Sequence, residues 1–254
     1  PLSQNVVGTC RVRGIDVLSR SGGALVRSNT ILERASRGEK SLGCWLMFPG
    51  PQIVELLALA GFHFVQIDGE HGPFGPEDIE QTCLAAEAFG LTVIARTPSI
   101  NVDVINLYVD RGVQGIMGPH VDSTEDACRL AQACRFAPEG ERSWGGGRAL
   151  HYNDPASVEG DSGDRVEILR RANSEMIVIA QLETKAAMDR IEDLLAVPGI
   201  DYFAFGPNDL AQSMGLPGQP DDSNIHAIMA ETVKRIHGAG RKMVSDDMSL
   251  ANAP

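Results

Sequence analysis

Residues 176–209 read MIVIAQLETKAAMDRIEDLLAVPGIDYFAFGPND. Two short apolar runs, 176–182 and 202–205, flank a helical stretch, 185–196, that stops at Pro198-Gly199. Runs without polar alternation suit strands buried on both faces, and strand, helix and strand of this size make one unit of a parallel sheet. Both runs end in acids: Glu183 directly, and Asp209 after Gly206-Pro207-Asn208.

The same alternation extends in both directions. Upstream, apolar runs at 42–48, 62–67, 91–95 and 113–117 predict four strands, and 242–245 predicts a seventh. The helices between them carry start and stop signals. Pro49 and Pro51 open one that Gly61 closes, and Gly90 ends another that begins near Pro76. Gly112 stops the helix at 102–109. Ser123 and Thr124 cap the next, with Glu125 and Asp126 in its first turn. Helices at 165–172 and about 225–237 complete the set. Seven β/α repeats of similar size predict a TIM-type (β/α)8 barrel. No GxGxxG follows the first strand, which removes the main support for a doubly wound dinucleotide fold. Only nine residues follow Ser245. An eighth strand and helix need on the order of 15–20 residues, so this chain is expected to lack both.

The 254 residues suit one large α/β domain. The net charge of −12 argues against nucleic acid and anionic membranes as partners. No stretch approaches the roughly 20 apolar residues of a membrane span. Residues 1–40 differ from the rest: they carry +4, leaving −16 for the remainder. They are expected to form a poorly ordered N-terminal extension, a targeting segment being the alternative. Residues 41–254 form the barrel domain, incomplete at its C-terminus. Five cysteines in no CxxC spacing suggest no disulfide framework and a cytoplasmic setting. Cys44, Cys83 and Cys128 read as core residues. The glycine run 145–147 lacks the Lys-Ser/Thr of a Walker loop and is expected to form a flexible flap within the long connection 138–163.

Catalytic groups of βα barrels sit at the C-terminal ends of strands. Here those ends present Asp68-Gly69-Glu70-His71-Gly72, Arg96, Gln181-Leu182-Glu183 and Gly206-Pro207-Asn208-Asp209. Glu183 and Asp209 on neighbouring strands would repel unless a proton or cation intervenes, and Mg²⁺ typically takes one or two carboxylates. Two solvated surface acids are the alternative. Arg96 could stabilise an oxyanion or simply pair with a rim acid. His71 is a candidate acid–base group, and His120 holds a weaker rim position. The backbone N–H groups of Gly206, Asn208 and Asp209 could cradle a carboxylate.

Together these motifs, with Leu42-Gly43, Arg96-Thr97-Pro98 and Asp110-Arg111-Gly112, resemble the HpcH/HpaI family of class II pyruvate aldolases, of the 2-dehydro-3-deoxyglucarate and 4-hydroxy-2-oxoheptanedioate type. The resemblance spans about 41–243. It implies that Glu183 and Asp209 ligate Mg²⁺ or Mn²⁺, with Co²⁺ as a further candidate, and that Arg96 stabilises the pyruvate enolate. It implies that His71, partnered by Asp110, moves the hydroxyl proton and that Gln181 lines the pyruvate pocket. It also implies a homo-oligomer, commonly a hexamer. The expected reaction is reversible aldol cleavage of a 2-oxo-4-hydroxy acid to pyruvate and an aldehyde, with His71 or a metal-bound water as base. An oxaloacetate decarboxylase on the same site, or an inactive incomplete barrel, are the competing readings.

Overall fold

A computed structural model of the chain describes residues 26–161 and 163–252. Its frame is an eight-stranded parallel sheet in the order β7-β6-β5-β4-β3-β2-β1-β8. The elements run α1 (Thr30–Ser36), β1 (Ser41–Leu46), α2 (Pro51–Leu59), β2 (Phe64–Asp68), α3 (Pro76–Ala88), β3 (Thr92–Arg96), α4 (Val102–Val109), β4 (Gly115–Gly118) and α5 (Thr124–Cys134). A 3-10 turn (Arg148–Asn153) and α6 (Pro155–Asp161) occupy the long connection. Then come α7 (Arg165–Ser174), β5 (Ile177–Leu182), α8 (Lys185–Asp189), α9 (Ile191–Leu195), β6 (Tyr202–Phe205), α10 (Pro207–Ser213), α11 (Ser223–Gly238), β7 (Lys242–Met243), α12 (Val244–Asp247) and β8 (Met248–Asn252).

Strand alternation sorts the apolar residues into two layers. Val65, Val93, Ile116, Val178 and Phe203 face outward into the core shared with the helices. Phe64, Ile94, Met117, Ile177, Ile179 and Tyr202 fill the inside. Gly43 makes room for this filling, because a Cβ there would overlap the Phe64 ring. The period of two then aims Gln66 and Asp68, Arg96, Gln181 and Glu183 inward, in the upper layers and rim of the barrel.

The incomplete closure expected from the sequence is seen. β1 and β8 pair in parallel, β6 pairs β7, and no pairing joins β7 to β8 among the described residues. The eighth strand itself, however, is present, which corrects the expectation that it is missing. The residues after β7 are too few for a strand and a full helix. Instead the single turn α12 makes the connection, held by Asp247, which accepts from Tyr202 Oη and Lys242 Nζ at 2.7 Å each. No helix follows β8 among the described residues.

The boundary at residue 41 also moves. α1 seals the N-terminal end of the barrel with Ile31, which is fully buried against the interior layer. Asn29 caps it, and its Nδ2 donates to the carbonyls of Gln114 and Glu175. Thr30 Oγ1 donates to His63 O at 2.8 Å and lies 2.9 Å from the Thr92 hydroxyl. The plug escaped prediction because a seven-residue helix with only two large apolar residues, Ile31 and Leu32, is too short to show helical periodicity. Residues 1–25 of the expected extension lie outside the described residues.

The long connection corrects another expectation. It leaves the C-terminal end of α5 and returns through α7 to the start of β5, so it covers the N-terminal end of the barrel. The 145–147 glycines pack on Asp110: a Cβ at Gly147 would lie 3.0 Å from the Asp110 carbonyl. This segment is no flap over its own chain's strand ends.

Candidate active site

The C-terminal rim gathers residues from the ends of six neighbouring strands, β1 to β6. In-register pairing of Asp68 with Arg96 sets its first contact. Arg96 Nε donates to Asp68 Oδ1 at 3.1 Å and Nη2 to Oδ2 at 2.5 Å. Trp45 Nε1, from the end of β1, donates to Asp68 Oδ2 at 3.2 Å, and the Arg96 guanidinium lies 5.0 Å above the Trp45 ring. The backbone N–H groups of Glu70 and His71 both donate to Asp68 Oδ1. Burial pushes the Asp68 carboxyl up, but the bonds from Arg96, His71 N–H and Trp45 outweigh it and hold it below the usual carboxylate range. Asp68 is thus an anchor for Arg96 and for the turn that carries Glu70 and His71.

A second cluster adjoins it. Glu183, only 1% exposed, extends past the end of β5. His120, just beyond β4, donates its backbone N–H to Glu183 Oε2 at 3.0 Å, and its Nδ1 lies 3.2 Å from the same oxygen. His120 Nε2 lies 3.4 Å from Glu70 Oε1, and Glu70 Oε2 lies 3.3 Å from Arg96 Nε. The chain reaches this arrangement through a left-handed backbone at His120, φ 51°, uncommon for a residue with a Cβ. Gly206, at the end of β6, leaves the space into which Glu183 reaches, since a Cβ there would overlap the carboxylate. Burial pushes the Glu183 carboxyl above its usual range. His120 pulls it back, while the Asp209 and Glu70 charges push it further up.

The expected site residues therefore divide. Asp68, His71, Arg96, Gln181, Glu183, Gly206, Asn208 and Asp209 share one rim. The His71 side chain is 59% exposed, with Nε2 3.9 Å from Glu70. Gln181 is buried and its Oε1 has no hydrogen-bond partner. The Gly206 N–H is committed to Leu182 O at 3.1 Å, which removes it from the expected carboxylate cradle. Asp110 is not at this rim. It caps the C-terminal end of α4, five residues before β4 begins, and so lies at the opposite end of the barrel from His71. Its nearest cation is Arg142, at 3.6 Å. Within one chain the pair cannot form. Trp45 and His120 are the residues that sequence reading undervalued. Their only signal was position at a strand end.

A divalent cation suits the chemistry of this rim. Glu70, Glu183 and Asp209 crowd like charges around a buried carboxylate, and the buried Gln181 oxygen is unmatched. No set of three or more His, Cys, Asp and Glu side chains is gathered as a cage among the described residues. Hard carboxylate oxygens without such a cage fit an ion that takes one or two carboxylates and leaves its other positions to water or substrate.

The model of the HpcH/HpaI aldolase/citrate lyase family matches residues 41–249. This chain belongs to that family. Among its relatives, the hydroxypyruvate/pyruvate aldolase of Roseovarius nubinhibens is 32% identical over 84% of this chain and 80% of its own length. The 4-hydroxy-2-oxovalerate aldolase of Novosphingobium aromaticivorans is 35% identical over 84% of this chain and 78% of its own. A crystal structure of an HpcH/HpaI family protein from Burkholderia cenocepacia superimposes with a TM-score of 0.73 at 27% identity, covering 88% of this chain and 84% of that one. With relatives named aldolases, this family member is an enzyme of the carbon–carbon lyase kind.

Proposed function

We propose that this family member catalyses reversible, divalent-cation-dependent aldol cleavage of a 2-oxo-4-hydroxy acid to pyruvate and an aldehyde. The observation that carries this reading is Glu183: a carboxylate at a strand end, raised by its burial and by Asp209 and Glu70, reaching into the space that Gly206 leaves. Glu183 and Asp209 would hold the cation, Mg²⁺ or Mn²⁺ by the hardness of the donors. When bound, it polarises the 2-oxo group and offsets negative charge developing on that oxygen.

The chain's own groups supply the rest. Asp68 and Trp45 fix the Arg96 guanidinium in place before substrate arrives, and its Nη1 amino group stays outside those bonds. A fixed cation near the developing enolate lowers the barrier without reorganisation. Gln181 Oε1, unmatched in the barrel, is positioned to accept a hydrogen bond from bound substrate or water. His71, at the open mouth, takes the C4 hydroxyl proton as the C3–C4 bond breaks. The bond's electron pair passes into the enolate of pyruvate and the C4 oxygen becomes the aldehyde. Protonation at C3 then gives pyruvate. Asp110 could reach His71 only from a second copy of the chain, which ties that pairing to the homo-oligomer implied by the resemblance.

The test is pyruvate release from a panel of 4-hydroxy-2-oxo acids, before and after chelation and with Mg²⁺ or Mn²⁺ restored. Metal-dependent release is expected. Release of CO₂ from oxaloacetate with no aldol cleavage would favour decarboxylation instead. A melting temperature indifferent to metal plus pyruvate, or full activity in Glu183→Ala, would overturn the reading.

A further inference from the structure

His120 stands just beyond β4, between the arginine cluster and the buried acid of β5, and contacts run through it in both directions. Asp68 holds Arg96, and Arg96 Nε lies 3.3 Å from Glu70 Oε2. Glu70 Oε1 lies 3.4 Å from His120 Nε2, and His120 Nδ1 lies 3.2 Å from Glu183 Oε2. The imidazole therefore joins the cluster built on β2 and β3 to Glu183.

The contacts on Glu183 divide its two oxygens. Oε2 receives the His120 backbone N–H at 3.0 Å and faces the ring Nδ1. Oε1 points into the space of the Cβ that Gly206 lacks. Gly206 caps α10, whose first turn carries Asp209. One oxygen is thus tied to β4, and the other lies on the side from which the second acid comes. Burial does not hold the ring in place, because the His120 side chain is 54% exposed. Its backbone is left-handed, φ 51°, a conformation that side chains rarely adopt. Such strain is kept where the geometry it produces is used.

We infer that His120 is the positioning residue of the cation site: it anchors Glu183 Oε2 from β4 and leaves Oε1 to meet the cation. This rests on the proposed cation-dependent reading and adds to it a residue outside the ligand pair. A glutamate carboxylate turns freely about its last bond. A backbone N–H and an imidazole nitrogen on one oxygen remove that freedom before the ion arrives, and partners that orient a ligand strengthen metal binding.

The experiment titrates Mn²⁺ into metal-free, substrate-free protein and reads the free ion by electron paramagnetic resonance. His120→Gly accepts the left-handed backbone and keeps the N–H but removes the ring. It is expected to raise the Kd for Mn²⁺ by about tenfold, with the melting temperature of the metal-free protein preserved. His120→Asn also tolerates that backbone and puts an amide nitrogen near the place of Nδ1, so it is expected to recover part of the loss. In assays of pyruvate release, the Mn²⁺ concentration for half-maximal rate should rise in step with Kd. An unchanged or lower Kd in folded His120→Gly overturns the inference, as does His120→Asn binding no better than His120→Gly. A loss of kcat that saturating Mn²⁺ does not restore would put His120 on the substrate and overturn the positioning role. The expected Kd changes in protein that cleaves no 2-oxo-4-hydroxy acid remove the aldolase reading and leave this inference standing. Parent protein that binds no Mn²⁺ removes both.

Discussion

At the N-terminal end of the barrel, Asn29 has a partner for every polar group: its N–H meets Glu175, its amide meets two carbonyls, its Oδ1 accepts from Ile31, and its carbonyl accepts from Glu33. Arg135 there reaches Gly199 O, Met176 O and Asp201. At the C-terminal end the buried Gln181 Oε1 has no hydrogen bond, and the acids Glu70, Glu183 and Asp209 crowd one another. Buried polar groups cost free energy when unpaired, so such deficits persist where a ligand is to supply the missing partner. The plug at one end of the sheet is matched group by group. The other is left open for chemistry.

The sharpest way to break this contrast is Glu183→Gln. It should lower kcat by roughly 10³-fold if a fixed charge is lost from the transition state, while metal-free protein melts at the same temperature or higher. A less stable variant would mean that Glu183 serves the fold. The mirror experiment is Ile31→Ala, expected to cost about 2–5 kcal/mol of stability by urea unfolding with kcat unchanged. A large loss of kcat at intact stability would show the plug reaching the chemistry.

Two acids at the rim should separate by pH. Burial together with Asp209 and Glu70 raises Glu183 in the fold. Its contribution is therefore complete below its ordinary value of 4.5 and lost as pH rises through the raised folded value. Asp68 is depressed, so its contribution is present above its ordinary 3.8 and lost as pH falls through the lower folded value. Melting curves of metal-free protein against pH should show the first limb vanish in Glu183→Gln and the second in Asp68→Asn. The same limb lost in both variants would mean that the two acids act as one group.

The smallest effect concerns thiols. Burial pushes Cys83 and Cys134 up to about 12. Alkylation of native protein at pH 8 should label the partly exposed Cys128 well ahead of both, read by mass spectrometry. Equal labelling would show that the core beneath the helices opens readily.

Much of this was visible in the sequence, for physical reasons. Strands buried on both faces leave unbroken apolar runs, so β6 appears at its full extent and β1 to β5 within two or so residues at each end. Because strand ends carry chemistry in this architecture, Glu183, Asp209, Arg96 and His71 stood out with them. The failures share a cause. α1, α10 and β8 are short, with little apolar periodicity, and are set by what they touch. Lys185–Asp189 and Ile191–Leu195 are two helices rather than one because the chain breaks at Arg190. Asp110 matched a motif, but a motif does not say which end of a helix its residue occupies. His120 and Trp45 matter through a backbone N–H and an indole N–H, which no residue-type pattern announces.

The pairing of β8 with β1 has a consequence beyond architecture. Trp45 pairs with Asn252 in register, and the Trp45 indole is the group that steadies Asp68. The sheet's open seam runs along the other edge of β8, so this strand is gripped from one side only. It works as a latch whose bolt ends one side chain away from the Asp68–Arg96 pair. Loosening β8 would leave Trp45 held by Gln66 of β2 alone, so a change far from the cleft in sequence would first be felt at the indole that steadies the guanidinium.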